Sequence, residues 1–116
     1  MLPKIDPTAA RSWKLLAAHY QDMKMVHMRS LFAGDPDRFA KYSLRFNDIL
    51  VDYSKNIITE ETKTLLLGLA EEMRLREGIE KMFTGDIINE TENRAVLHVA
   101  LRNRINTPIF VAGEDV

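Results

Sequence analysis

Apolar side chains recur at intervals of three and four along two stretches of this 116-residue chain, and that period constrains the fold more than any other feature. The first stretch holds Trp13, Leu16, Ala17, Tyr20 and Met23; the second holds Leu65, Leu66, Leu69, Ala70 and Met73. On a helix such spacing gathers the apolar groups into one stripe, with Arg11, Lys14 and Gln21 mostly elsewhere, and the stripe requires a surface to cover it. Both stretches follow helix-start chemistry. Asp6 can cap free amides, and Pro7 at a first helical position forfeits no hydrogen bond. Thr59 brings a capping hydroxyl, and Glu60 and Glu61 place negative charge where the helix dipole favours it.

The segments between are shorter. Gly34, Asp35 and Pro36 break the pattern after Leu31 and Phe32, and Asp35-Pro36 can open a short helix toward Ala40. From Tyr42 to Tyr53 the period shifts toward two, with Leu44, Phe46, Leu50 and Val51 around a polar Asn47-Asp48 turn, which predicts a small hairpin. A lone two-stranded ribbon is barely stable in water, so this one should lie on the helices or on further polypeptide. Gly78 reads as an interruption, Ile79, Met82 and Phe83 as a shorter helical stripe, and Gly85 as the left-handed residue that ends it. Asn89 with Glu92 has capping-box spacing and predicts a helix running to about Arg102. Its middle, Ala95 to Leu101, is apolar on nearly every side apart from His98, as a central, enclosed helix would be. Thr107 to Ala112 reads as a short extended run, and Gly113-Glu114-Asp115 as the lead into another element. An ending at Val116 with neither a cap nor a polar tail suggests a longer protein. The expected fold is mainly α with a short β-hairpin, residues 1–116 forming one mostly helical segment.

Sixteen basic against seventeen acidic side chains leave a formal charge of −1, so no broad field draws the chain to nucleic acid or to an anionic membrane. The absence of cysteine removes disulfides, thiolate catalysis and sulfur-ligated zinc, and suits a reducing compartment such as the cytoplasm. The opening residues lack the apolar core of a secretory signal, and nowhere do eighteen apolar residues run uninterrupted.

No local motif carries catalysis. His19, His27 and His98 have no second ligand at metal spacing, and His98 is expected to be a core histidine hydrogen-bonded to a neighbouring helix or backbone. Val51 to Asn56 gathers Asp52, Tyr53, Ser54, Lys55 and Asn56. Tyr53 and Lys55, however, are two apart rather than four, and Ser54 lacks a nucleophile elbow, so a strand end with turn-forming side chains is the better reading. Glu90 and Glu92 do not face each other on a helix and are assigned to capping and ion pairing with Arg94. Asn89-Glu90-Thr91 matches a glycosylation acceptor that, without a secretory signal, should never meet the modifying enzyme. No glycine-rich phosphate loop is present.

Whole segments are more informative than motifs. HMRSLFAGDPDRF from His27, SLRFNDILVDYSKN from Ser43 and GDIINETENRAVLHVALRNR from Gly85 resemble, in order and approximate spacing, consecutive amino-terminal blocks of the glucose-6-phosphate isomerase family. The similarity runs from about Trp13 to Val116, and the block from Thr91 to Asn103 is its most specific part. One departure is Asn93, where the family commonly has glycine. The resemblance implies an enzyme of glycolysis and gluconeogenesis that interconverts glucose 6-phosphate and fructose 6-phosphate with no metal or organic cofactor, as a homodimer. Proton transfer between C2 and C1 by a glutamate, through a cis-enediol, is the implied chemistry. The family's catalytic groups and phosphate cradle belong to α/β sugar-isomerase domains, and none maps onto a residue here. The chain is therefore expected to be a scaffold for those domains, inactive alone, with no catalytic, cofactor-binding or metal residue of its own. Two rivals are a stand-alone helical module that binds a protein partner through its exposed stripe, and a new site built on Asp52, Lys55 and His98.

Overall fold

The computed structural model describes all 116 residues and divides into two compact units, Thr8–Leu69 and the combination of Met1–Pro7 with Ala70–Val116. Helices dominate, accompanied by three two-stranded antiparallel ribbons, so the mainly α expectation holds, with two more ribbons than the sequence disclosed. No helix is long and apolar enough to cross a membrane.

In the Thr8–Leu69 unit a 3-10 turn over Pro7–Ala9 leads into α1 (Arg11–Met23). This corrects the expected helix start at Asp6-Pro7: those residues lead into the 3-10 turn, and α1 begins at Arg11 after Ala10, whose extended backbone separates the two and which offers no side-chain cap. Next come α2 (Met28–Gly34), α3 (Arg38–Lys41), β1 (Ser43–Phe46), β2 (Ile49–Asp52) and α4 (Glu60–Glu72), the last of which runs past the end of the unit. His27 caps α2 by accepting the Arg29 amide on Nδ1 at 3.1 Å. The predicted hairpin is present, with Ser43↔Asp52, Leu44↔Val51, Arg45↔Leu50 and Phe46↔Ile49 as partners. Asn47 makes its turn at φ 53°, a left-handed conformation that asparagine tolerates better than most residues. Thr59 caps α4 as expected, but the reciprocal partner is a threonine. The Thr59 hydroxyl accepts from the Thr62 amide at 3.3 Å, and the Thr62 hydroxyl accepts from the Thr59 amide at 3.0 Å. Helices α1 and α4 run antiparallel, Ser12 lying against Gly68 and His19 against Thr62. A Cβ on Gly68 would stand 2.9 Å from the Ser12 hydroxyl, so small groups set this approach.

In the other unit α5 (Leu75–Phe83) begins after Arg74, whose φ of 55° and ψ of 37° break it from α4. Gly78 lies inside α5 and does not interrupt it, which corrects the sequence reading: the break belongs to Arg74, four residues earlier. Gly85 ends the helical region at φ 76°, as predicted. The predicted helix from Asn89 to Arg102 does not form. Instead β3 (Ile87–Asn89) pairs with β4 (Arg94–Ala95), and the helical tendency of the apolar run survives only as a 3-10 turn over Ala100–Arg102. The physical reason is a turn that the β3–β4 ribbon closes. Asn89 does accept the Glu92 amide at 3.3 Å, a bond that a turn makes as well as a helix cap. The Glu92 carboxylate, however, accepts from the Asn89 side-chain amide at 3.2 Å and not from the backbone amide that a capping box uses. Asn93 then takes φ 52°, which reverses the chain into β4. Beyond it, β5 (Phe110–Val111) occupies two residues of the predicted extended run. It pairs with β6 (Glu114–Asp115), in the stretch read as the lead into another element, the chain turning through Ala112 and Gly113, both at positive φ as in a tight hairpin.

The interior is small and unusually polar. Tyr42 and Ala10 are the buried apolar residues, joined by buried Ser12, His19, Arg38 and Ser54. The expected stripes are only partly covered: Leu16, Met23, Leu65, Leu69 and Met73 are half-buried, whereas Trp13, Tyr20 and Leu66 are exposed. The chain exposes 9297 Å². Two separate compact bodies sharing 13.4 kDa would together expose about 7,800 Å² by the usual scaling of surface with mass. Many large apolar side chains are exposed, Phe46, Leu101 and Ile105 among them, and contiguous exposed apolar groups mark interaction surface.

Candidate functional site

The most enclosed polar cluster centres on Arg38, which is 2% exposed. Helix α3 sets Arg38 and Tyr42 one turn apart, and their side chains stack, the guanidinium carbon lying 4.6 Å from the Tyr42 ring centroid and 5.5 Å from that of Phe32. Arg38 Nε donates to the Ser54 carbonyl at 2.9 Å, and Nη2 donates to the Asn56 carbonyl at 2.7 Å. Tyr42 meets Tyr53 edge to face at 5.8 Å, and burial, aided by a hydrogen bond with Glu60, pushes its phenol above the ordinary range. This buried guanidinium holds the loop after β2 by its carbonyls. A dissolved anion does not reach it.

The Val51–Asn56 segment behaves as a strand end with turn-forming side chains, as predicted. Asp52 Oδ1 accepts from the Ser54 hydroxyl at 2.6 Å and from the Ser54 amide at 2.9 Å. Those bonds, the hydroxyl first, hold the Asp52 carboxyl below its usual pKa range. Ser54 is 2% exposed, so its oxygen is a structural donor rather than an accessible nucleophile. Lys55 is exposed in the turn that follows.

His19, also buried, places Nε2 2.7 Å from the Thr62 hydroxyl, with Nδ1 3.7 Å from the Glu61 carboxylate. It therefore ties α1 to the capped start of α4. His98 is exposed, and the expectation of a core histidine is corrected: with no helix across Ala95 to Leu101, nothing encloses the ring. Its carbonyl accepts from Arg102 Nη1 at 3.0 Å. Glu90 and Glu92 are engaged as ion partners, with Lys4 at 2.9 Å and Arg94 at 3.6 Å respectively, which agrees with the reading of charge pairing over acid–base work. No group of three or more His, Asp or Glu side chains could hold a metal ion.

An open groove of about 730 Å³ runs through the second unit, lined by Ile87, Val96, Leu97, Leu101, Val111 and Val116 with Arg94 and His98 among the polar groups. Its walls are mainly aliphatic, and His98 and Arg94 are exposed rather than aimed at one another by further contacts. Sequence reasoning missed this groove and the Arg38 cluster. Both depend on residues brought together by turns: Arg38 and Ser54 are separated by 16 positions, and the groove is walled by residues from Ile87 to Val116.

Residues 52–116 match the family model described as phosphoglucose isomerase, more than half of the chain. A curated glucose-6-phosphate isomerase of Desulforapulum autotrophicum is 54% identical over 116 residues, which is all of this chain and 21% of that relative. The chain thus spans about a fifth of the length of the curated relative it matches.

Proposed function

The chain belongs to the phosphoglucose isomerase family, and from that premise we propose that it is the amino-terminal scaffold of a glucose-6-phosphate isomerase. The parent enzyme would interconvert glucose 6-phosphate and fructose 6-phosphate in glycolysis and gluconeogenesis, as a cytoplasmic homodimer needing no metal or organic cofactor. The chemistry calls for a base beside the carbon next to a carbonyl, inside a pocket that also grips phosphate. In this reading those groups reside in the sugar-isomerase domains, and residues 1–116 form one supporting segment that contributes no catalytic, cofactor or metal residue.

The observation that carries the reading is identity along the whole chain with a fifth of an isomerase, and a second supports it. The buried Arg38 and His19, and Asp52 with them, are engaged in holding the fold: Arg38 on two carbonyls, Asp52 on Ser54, His19 on Thr62. A coupled assay that reads glucose 6-phosphate formed from fructose 6-phosphate tests it. Purified 116-residue chain should show no turnover above the blank, whereas the same segment replacing its counterpart in the Desulforapulum enzyme should support turnover. Activity of the short chain alone would overturn the scaffold reading.

One observation favours the stand-alone interaction module as a second reading. Leu75, Ile79 and Phe83 form an exposed stripe at helical spacing along α5, 55%, 47% and 56% exposed. A reading frame that ends at Val116, with stable expression of the short protein, would favour it.

A further inference from the structure

The register of the β1–β2 ribbon sorts its side chains cleanly. Leu44 pairs with Val51 and Phe46 with Ile49, so these four apolar groups share one face, while Ser43, Arg45, Leu50 and Asp52 share the other. Both faces of the ribbon meet solvent, and the all-apolar one does so with large groups throughout: Leu44 is 64% exposed, Phe46 74%, Ile49 58% and Val51 53%, whereas the other face carries Arg45 and Asp52 beside Leu50. A two-residue turn and a four-pair ladder fix this register, and a slip of one residue would send all four groups to the opposite side.

Resting on the isomerase reading above, we propose that this face is the docking surface for the remaining polypeptide of the isomerase, which covers it in cis. The area decides between occupants. The four side chains present on the order of 500 Å², whereas a specific, stable interface between separate proteins buries about 800 Å² on each partner. A second copy seated on this face alone would fall short after the loss of translational and rotational freedom on association. A tethered domain loses far less, because covalent connection makes its contact intramolecular. The relative is nearly five times as long as this chain, so polypeptide of the required size exists in the enzyme to which the segment is similar. Hydration also argues for cover, since a two-stranded ribbon without a layer on its apolar face is marginal in water.

The sequence contains no cysteine, which makes an introduced one easy to follow. Leu44→Cys and, on the opposite face, Arg45→Cys are placed singly in the complete isomerase carrying this segment, and maleimide labelling of the tryptic peptide that holds each new thiol is timed. Relative to the 116-residue chain, labelling of the Leu44→Cys variant should slow by at least about tenfold and labelling of the Arg45→Cys variant should change little, because thiol reactivity follows access. Slowing must persist when the enzyme is diluted until it sediments as a monomer. Rapid labelling of Leu44→Cys in folded enzyme would overturn the proposal, and so would protection lost on dilution, since a second copy would then be the cover. If Leu44→Cys fails to fold, hydroxyl-radical footprinting of the unsubstituted enzyme reads the same face: Leu44 and Phe46 should resist oxidation, and free oxidation of both sinks the idea. Turnover by that unsubstituted preparation reports separately on the isomerase reading: an inactive protein with a protected ribbon removes the function and keeps the docking surface.

Discussion

At the scale of single residues, Arg38 is the group on which the Thr8–Leu69 unit most depends. Its removal would leave two carbonyls without their charged donor and strip a stacking partner from Tyr42. Arg38→Ala should lower stability by about 3 kcal/mol, and Arg38→Lys should recover less than half, because an ammonium cannot reproduce the planar fork. Trp13, the sole tryptophan, lies in the same unit, so its fluorescence during urea unfolding measures both. An Arg38→Ala midpoint equal to wild type would refute the assignment. Asp52 supplies a pH signature. Its folded pKa is lowered by the Ser54 hydroxyl and amide. The resulting stability is present above the unfolded value of about 3.9 and is lost as pH falls through the lower folded value. The urea midpoints of wild type and Asp52→Asn should therefore converge as pH drops from about 5 toward 3, and a constant gap would contradict this origin.

At the scale of elements, turns rather than helices decide the second unit. Gly85 sits at φ 76°, and a Cβ there would collide with the Phe110 carbonyl oxygen. Gly85→Ala should cost about 1–3 kcal/mol from strain and displacement together. Asn93→Gly, at φ 52° in the β3–β4 turn, should stay within about 0.5 kcal/mol of wild type, since glycine adopts that conformation freely. Amide hydrogen exchange at Ile87 and Ala95 reads both substitutions, and strong deprotection by Asn93→Gly would argue for the helix that the sequence suggests. On that helix, asparagine in place of the family's common glycine would be of little consequence. The structure gives the position a physical meaning: it turns the chain through left-handed backbone, where glycine and asparagine are the residues of choice.

At the scale of the whole molecule, exposed apolar surface governs behaviour. The chain carries 9297 Å² of surface, with Phe46, Leu101 and Ile105 among the most exposed apolar groups, at 74%, 85% and 85%. With a formal charge of only −1, like-charge repulsion offers little protection against association. The isolated chain should bind a hydrophobic dye and show a sedimentation coefficient that rises with concentration, and both effects should diminish when it is part of the complete enzyme. A sharply cooperative, dye-silent monomer would count against a surface shaped for further polypeptide.

What the sequence determined by itself was whatever nearest neighbours decide. The start of α4, the Asn47-Asp48 hairpin and the glycine stop at position 85 all follow from groups within about four residues of one another, where capping and turn chemistry act. Kinship was legible too, because it resides in segment order. Tertiary structure alone settled two matters. Asn89 accepts the Glu92 amide in a helix cap and in a turn alike, so that bond could not choose between them and the pairing of β3 with β4 did. The interior likewise went to Ser12, His19 and Arg38 instead of the Trp13 stripe, because burial depends on which surface arrives from far along the chain, and no local period encodes that.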